Sequence, residues 1–73
     1  MQEEISACVR AQIDASSLQV TVEGNRALIE VVSDQFEGLN RVKRQQLVYG
    51  CIGDLIADGR LHAVTIKAST PGE

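Results

Sequence analysis

Within its first 24 residues the chain changes its hydrophobic period, and that change is the strongest constraint on its fold. Ile5, Cys8, Val9 and Ile13 recur at helical spacing, while Glu3, Glu4, Arg10 and Asp14 fall elsewhere. From Leu18 the pattern alternates, with Leu18, Val20 and Val22 in one phase and Gln19, Thr21 and Glu23 in the other. The spacing predicts an amphipathic helix over residues 3–15, ending near Ala15-Ser16-Ser17, followed by a strand over 18–23. Gly24-Asn25 is a tight-turn signal before a second strand, Ala27 to Ser33, so the two strands form an antiparallel hairpin. Ala27, Ile29 and Val31 on one phase and Leu28 and Val32 on the other make this second strand the central one.

Asp34, with Glu37 three residues on, has the spacing of a capping box for a short helical turn that Gly38 breaks. Asn40 then serves as N-cap for a longer helix running to about Asp58, with Gly59 as its stop. Leu47, Val48, Cys51, Ile52, Leu55 and Ile56 form its apolar arc, and a last strand covers His62 to Lys67, with His62, Val64 and Ile66 in phase. The element order α-β-β-α-α-β describes an α+β fold: a three-stranded mixed sheet with the helices on one face. The connection from the second strand to the third is long enough for a parallel crossover. With 73 residues in all, the chain makes one domain, residues 1–73.

Bulk chemistry excludes several classes of function. Seven Lys and Arg against ten Asp and Glu give a formal charge of -3, so phosphate-backbone binding has to be local rather than driven by the whole molecule. No apolar run approaches the ~18 residues of a membrane span, and the acidic start MQEEISACVR lacks the pattern of a signal peptide. A soluble, cytoplasmic protein is the expectation. Cys8 and Cys51 form no CxxC motif, and each sits in the apolar arc of its helix, where a free cysteine acts as a small hydrophobe. One His and one Tyr, with no Ser-His-Asp pattern and no phosphate loop, leave no pair of activated groups, so no enzymatic activity is expected.

Three features remain as candidates for function. Arg41, Lys43 and Arg44, with Gln45 and Gln46, crowd the first turns of the long helix, where cations oppose the helix dipole. They suit a nucleic-acid contact, a protein partner, or plain solvation. Gly50, Gly53 and Ala57 form a strip of small residues, read first as room for close packing of the first helix or the sheet and second as a flat docking strip. His62 is the sole histidine, at the head of the last strand, where an imidazole is either a packed strand-end residue or a metal ligand.

The phrase FEGLNRVKRQQLVYG, residues 36–50, followed by LIADGRLHAVTIKASTP, residues 55–71, resembles the BolA family, and the branch of enterobacterial acid-stress homologues within it. The resemblance covers nearly the whole chain. It implies a fold related to the type II KH domain and two lines of function. One is partnership with a monothiol glutaredoxin, sharing a [2Fe-2S] cluster together with glutathione; the chain alone is then cofactor-free, as a monomer or weak homodimer. The other is transcriptional regulation in stress response, with DNA bound through a helix-turn-helix-like segment, residues 34–58. The family's histidine ligand before the final strand maps onto His62. Cluster-binding members commonly add a His or Cys from the loop between the first two strands, whereas here that loop is Glu23-Gly24-Asn25-Arg26. The RNA clamp of KH domains needs a GXXG loop, and Gly38-Leu39-Asn40-Arg41 lacks the second glycine.

Overall fold

The structure, a computed structural model, describes residues 2–72. Its elements are α1 (Gln2–Gln12), β1 (Ser17–Glu23), β2 (Arg26–Val32), a 3-10 turn (Asp34–Phe36), α2 (Arg41–Ala57) and β3 (Ala63–Ser69). The expected order is present, with the short helical element realised as a single 3-10 turn. The sheet runs β1-β2-β3, β1 antiparallel to β2 and β2 parallel to β3, so β2 is central.

Strand register separates the two faces of this sheet. Val20 lies opposite Ile29 and Ile29 opposite Ile66, and these three, with Ala27 and Val31, are buried in the core. On the reverse face Glu30 lies between Gln19 and Lys67, and Leu28 between Thr21 and Thr65. Only the first face has helices to cover it. Ile5 and Val9 from α1, Ile13 just beyond its end, and Val48, Ile52 and Leu55 from α2 meet the sheet there. Burying an aliphatic side chain of this size is worth ~1.5–3 kcal/mol, so these six positions carry much of the driving force. The chain's one phenylalanine, Phe36, is fully buried beneath the 3-10 turn.

Several boundaries differ from the sequence reading. α1 ends at Gln12 rather than near Ala15, although the Ile13 N–H still bonds the Val9 carbonyl at 2.8 Å and keeps Ile13 in the core. The cap of the 3-10 turn is Ser33, not Asp34. Ser33 has extended backbone angles, its Oγ accepts from the Gln35 N–H at 3.1 Å, and the same hydroxyl donates to the Asp14 carbonyl at 2.9 Å. A fully buried serine thus ties the end of α1 to the end of β2.

α2 is bounded as expected. The Asn40 side chain accepts from the Lys43 N–H at 2.9 Å. At the other end Gly59, at φ +78, donates to the Ile56 carbonyl and Arg60 to the Leu55 carbonyl. This is the paired closure of a Schellman motif, which favours glycine at the left-handed position. The expectation that Gly50 and Gly53 make room for close packing fails, because a Cβ at either position would meet nothing within 4 Å. Both lie on the solvent face of α2.

Candidate functional site

The start of β3 is anchored from both sides of His62. Leu61 is buried in the core on one side, and β3 pairing begins at Ala63 on the other. Between them the His62 N–H donates to the Asn25 carbonyl at 2.9 Å, and the Ala63 N–H reaches the same oxygen at 3.4 Å. Asn25 belongs to the β1–β2 turn, where Gly24 takes the φ of +59 that a two-residue hairpin of type II′ requires at its first central position. The chain's histidine and its hairpin turn are therefore held together by backbone, independently of either side chain.

His62 precedes β3 instead of opening it, and it is exposed rather than packed in phase with Val64 and Ile66. His62 is exposed, and among the described residues its imidazole has no hydrogen-bond or ion-pair partner. The neighbouring loop supplies Glu23, Asn25 and Arg26, all exposed and none of them a soft or imidazole donor. Among the described residues no group of three or more His, Cys, Asp or Glu could hold a metal ion. Beside this turn the chain therefore offers one imidazole donor, His62, and no second soft donor.

Cys51 is closed off from such a role. Cys51 is buried, and its Sγ lies 3.4 Å from the Leu47 carbonyl. Burial, and secondarily the nearby Cys8 thiol, push the Cys51 thiol up from its ordinary range and keep it protonated. A protonated, buried thiol is neither a ligand nor a nucleophile.

A second feature lies between the start of α2 and the end of β3, where a groove of about 470 Å³ is lined by Leu39, Arg41, Arg44, Gln45, Ile66, Lys67 and Ala68. The structure divides the basic cluster read from the sequence. Arg41, Arg44 and Gln45 face this groove, whereas Lys43 does not. Arg44 is committed to the fold: its Nε donates to the carbonyls of Leu39 at 2.9 Å and Phe36 at 3.2 Å, and its Nη1 to Ala68 at 3.4 Å. Lys67, absent from the sequence-based set, joins the groove because β3 runs past the start of α2. As the fifth residue of β3 it gave no signal of this until the strand's edge position beside α2 was known.

Comparison with known proteins agrees with the fold described above. Residues 9–73 match the family model described as BolA-like protein. The chain belongs to the BolA family. It is 40% identical over 70 residues to the acid stress protein IbaG of Escherichia coli K12, covering 96% of this chain and 83% of that relative. Among solved structures it is similar to BolA1 from Arabidopsis thaliana (TM-score 0.88, 26% identity, 99% of this chain and 93% of that one). It is likewise similar to the BolA domain of SufE1 from Arabidopsis thaliana (TM-score 0.89, 29% identity, 96% of this chain and 91% of that one). BolA-like proteins with stress-related names thus include relatives of this chain. Among the described residues no helix is long and apolar enough to cross a membrane.

Proposed function

We propose that this BolA-like protein is an adaptor in iron-sulfur homeostasis that pairs with a monothiol glutaredoxin and contributes His62 to a shared [2Fe-2S] cluster. The observation that carries the reading is the exposed, uncommitted imidazole of His62, positioned by the backbone bond to Asn25. The cluster would supply the redox and transferable iron; the chain's own part is to present one nitrogen and a docking surface. The glutaredoxin and glutathione thiols would supply two more of the cluster's four terminal ligands; the Glu23–Arg26 loop has no His or Cys for the fourth, which has to come from elsewhere. Arg41 and Lys67 on the rim of the groove, Gln45 beside them and Lys43 on the adjacent turn offer the cationic and amide contacts that an acidic partner surface or the carboxylates of glutathione accept. Such a role has no need of catalytic groups.

The test is pulsed electron paramagnetic resonance of the reduced mixed complex. Hyperfine coupling from a directly bound nitrogen is expected with the native chain and lost in His62→Ala. Equal coupling in both removes His62 from the cluster.

A second reading, a DNA-binding regulator using residues 34–58 in stress response, draws support from the groove cations. Against it, the element preceding α2 is only three residues of 3-10 turn, too short for the first helix of a helix-turn-helix, and Arg44 is occupied by backbone carbonyls. Duplex binding whose salt slope falls by about one unit in Lys43→Ala would favour this reading.

A further inference from the structure

The chain's two cysteines have no part in the function proposed above, and the packing of the helices turns them toward each other. α1 packs on β1 and on α2, and α2 packs on β3. Contacts at both ends make the two helices antiparallel. At one end the Arg60 guanidinium, just past α2, donates to the Glu4 carboxylate at 2.9 Å. At the other, the Asp14 N–H bonds the Gln35 side chain and the Asp14 carbonyl accepts from Ser33 at 2.9 Å, both just ahead of α2.

Helix geometry then sets which flanks meet. Cys8 is four residues from Glu4, which puts the two about 40° apart on one flank of α1. Since Glu4 meets the segment that follows α2, this is the flank turned to α2. On α2, Cys51 is two residues from Tyr49, about 160° around the axis. The Tyr49 hydroxyl donates to the Val64 carbonyl of β3 at 3.2 Å, so Cys51 lies on the flank turned away from β3 and toward α1. Cys8 stands ~6 Å along α1 from Glu4 and Cys51 ~9 Å along α2 from Ala57, so the two sit at similar depth from the joined end. Packed helices stand about 8–10 Å apart, which brings facing Cα atoms near the ~4.4–6.8 Å that a disulfide spans. Both sulfurs belong to one apolar cluster, Cys51 buried within it and Cys8 half-buried at its edge. Electrostatics agree, because after burial it is Cys8 that raises the Cys51 thiol.

We infer that Cys8 and Cys51 form a two-electron thiol pair, which a peroxide oxidises to a disulfide joining α1 to α2. Cys8, half-buried, is the sulfur that a solvent oxidant reaches first. The peroxide O–O bond breaks, Cys8 becomes a sulfenic acid and one water leaves. Cys51 at rest is protonated and shielded, so closure waits for a local opening that frees its sulfur. That sulfur attacks Cys8, the S–S bond forms as the Cys8 S–O bond breaks, and the hydroxyl leaves with the Cys51 proton as a second water. Two thiols are oxidised and one peroxide is reduced to water. A dithiol reductant reverses the step by exchange. The inference stands apart from the glutaredoxin reading, since neither His62 nor a cluster enters it or its test.

The native chain, folded and dilute, is exposed to hydrogen peroxide, quenched, alkylated under denaturing conditions and digested with trypsin. The expected product has lost both alkylatable thiols and yields residues 1–10 linked to residues 45–60, with cleavage after Arg10, Arg44 and Arg60. The closed ring holds β1, β2 and the start of α2, so the oxidised chain melts higher, by about 10 °C or more, and dithiothreitol abolishes the rise. Peroxide-treated Cys8→Ser keeps an alkylatable Cys51 and shows no rise. Two thiols that stay alkylatable in the native chain overturn the inference. So does Cys8 oxidised to sulfinic acid beside a free Cys51, a bridge found only between two molecules, or a bridge that leaves the melting temperature unchanged or lower.

Discussion

The backbone N–H of His62 donates to the carbonyl oxygen of Asn25 at 2.9 Å, so the hairpin turn and the sole histidine are one structural unit. This bond needs neither side chain, and it leaves the imidazole outside the core. Replacing His62 therefore leaves the fold unaltered. The urea midpoint of His62→Ala is expected to match that of the native chain within about 0.5 kcal/mol, the range of ordinary surface substitutions.

Arg44 and Arg41 are neighbours on α2 with opposite expected outcomes. Arg44 holds the carbonyls of Phe36, Leu39 and Ala68, joining the 3-10 turn and the end of β3 to α2. Arg44→Ala loses bonds to a charged donor and is expected to cost about 2 kcal/mol in urea denaturation, whereas Arg41→Ala costs little. Partner affinity should respond the other way, with Arg41→Ala weakening it at unchanged stability.

The glycines of α2 separate by position. Gly53→Ala, with nothing near the new methyl, is expected to raise stability by up to about 1 kcal/mol through helix propensity. Gly59→Ala is expected to lower it by about 1 kcal/mol, because φ of +78 is strained for any residue with a Cβ. Thermal melts of the two variants should shift in opposite directions.

Ser33 is fully buried and its hydroxyl serves two backbone partners, the Asp14 carbonyl and the Gln35 N–H. Ser33→Ala leaves both without that partner and is expected to cost about 1–3 kcal/mol. Hydrogen exchange should show the loss first at Gln35.

The two cysteines should differ in reactivity. Cys51, buried and held protonated, is expected to alkylate only as fast as the core opens, well after the half-buried Cys8. A thiol whose folded pKa is raised contributes stability below its unfolded pKa and loses it as pH rises through the folded value. The native chain should accordingly weaken in alkaline solution above about pH 9, and Cys51→Ala should weaken less.

Where local pattern dictated structure, the sequence was readable. The change of period at Leu18, the Gly24-Asn25 turn, Asn40 as cap and Gly59 as stop each place an element the structure contains, and the BolA-like resemblance of residues 36–71 is matched by the family. Side-chain direction was less legible, because it depends on partners far away in the chain. Ser33 took the cap from Asp34 because β2 delivers it to the end of α1. Gly50 and Gly53 suggested close packing, yet α2 turns their face to solvent. Arg44 read as a candidate contact residue, although three carbonyls from separate segments meet it, and Lys67 joined the groove only because β3, an edge strand, runs past the start of α2. His62 was identifiable by type, but its exposure follows from the bond to Asn25.

We propose His62 as the chain's contribution to a cluster shared with a glutaredoxin. The most direct measurement is visible circular dichroism while this protein is added to a [2Fe-2S] monothiol glutaredoxin, beside the same titration with His62→Ala. A saturable change is expected with the native chain and none of that character with the variant. A flat titration with the native chain, or an identical change with both, would contradict it.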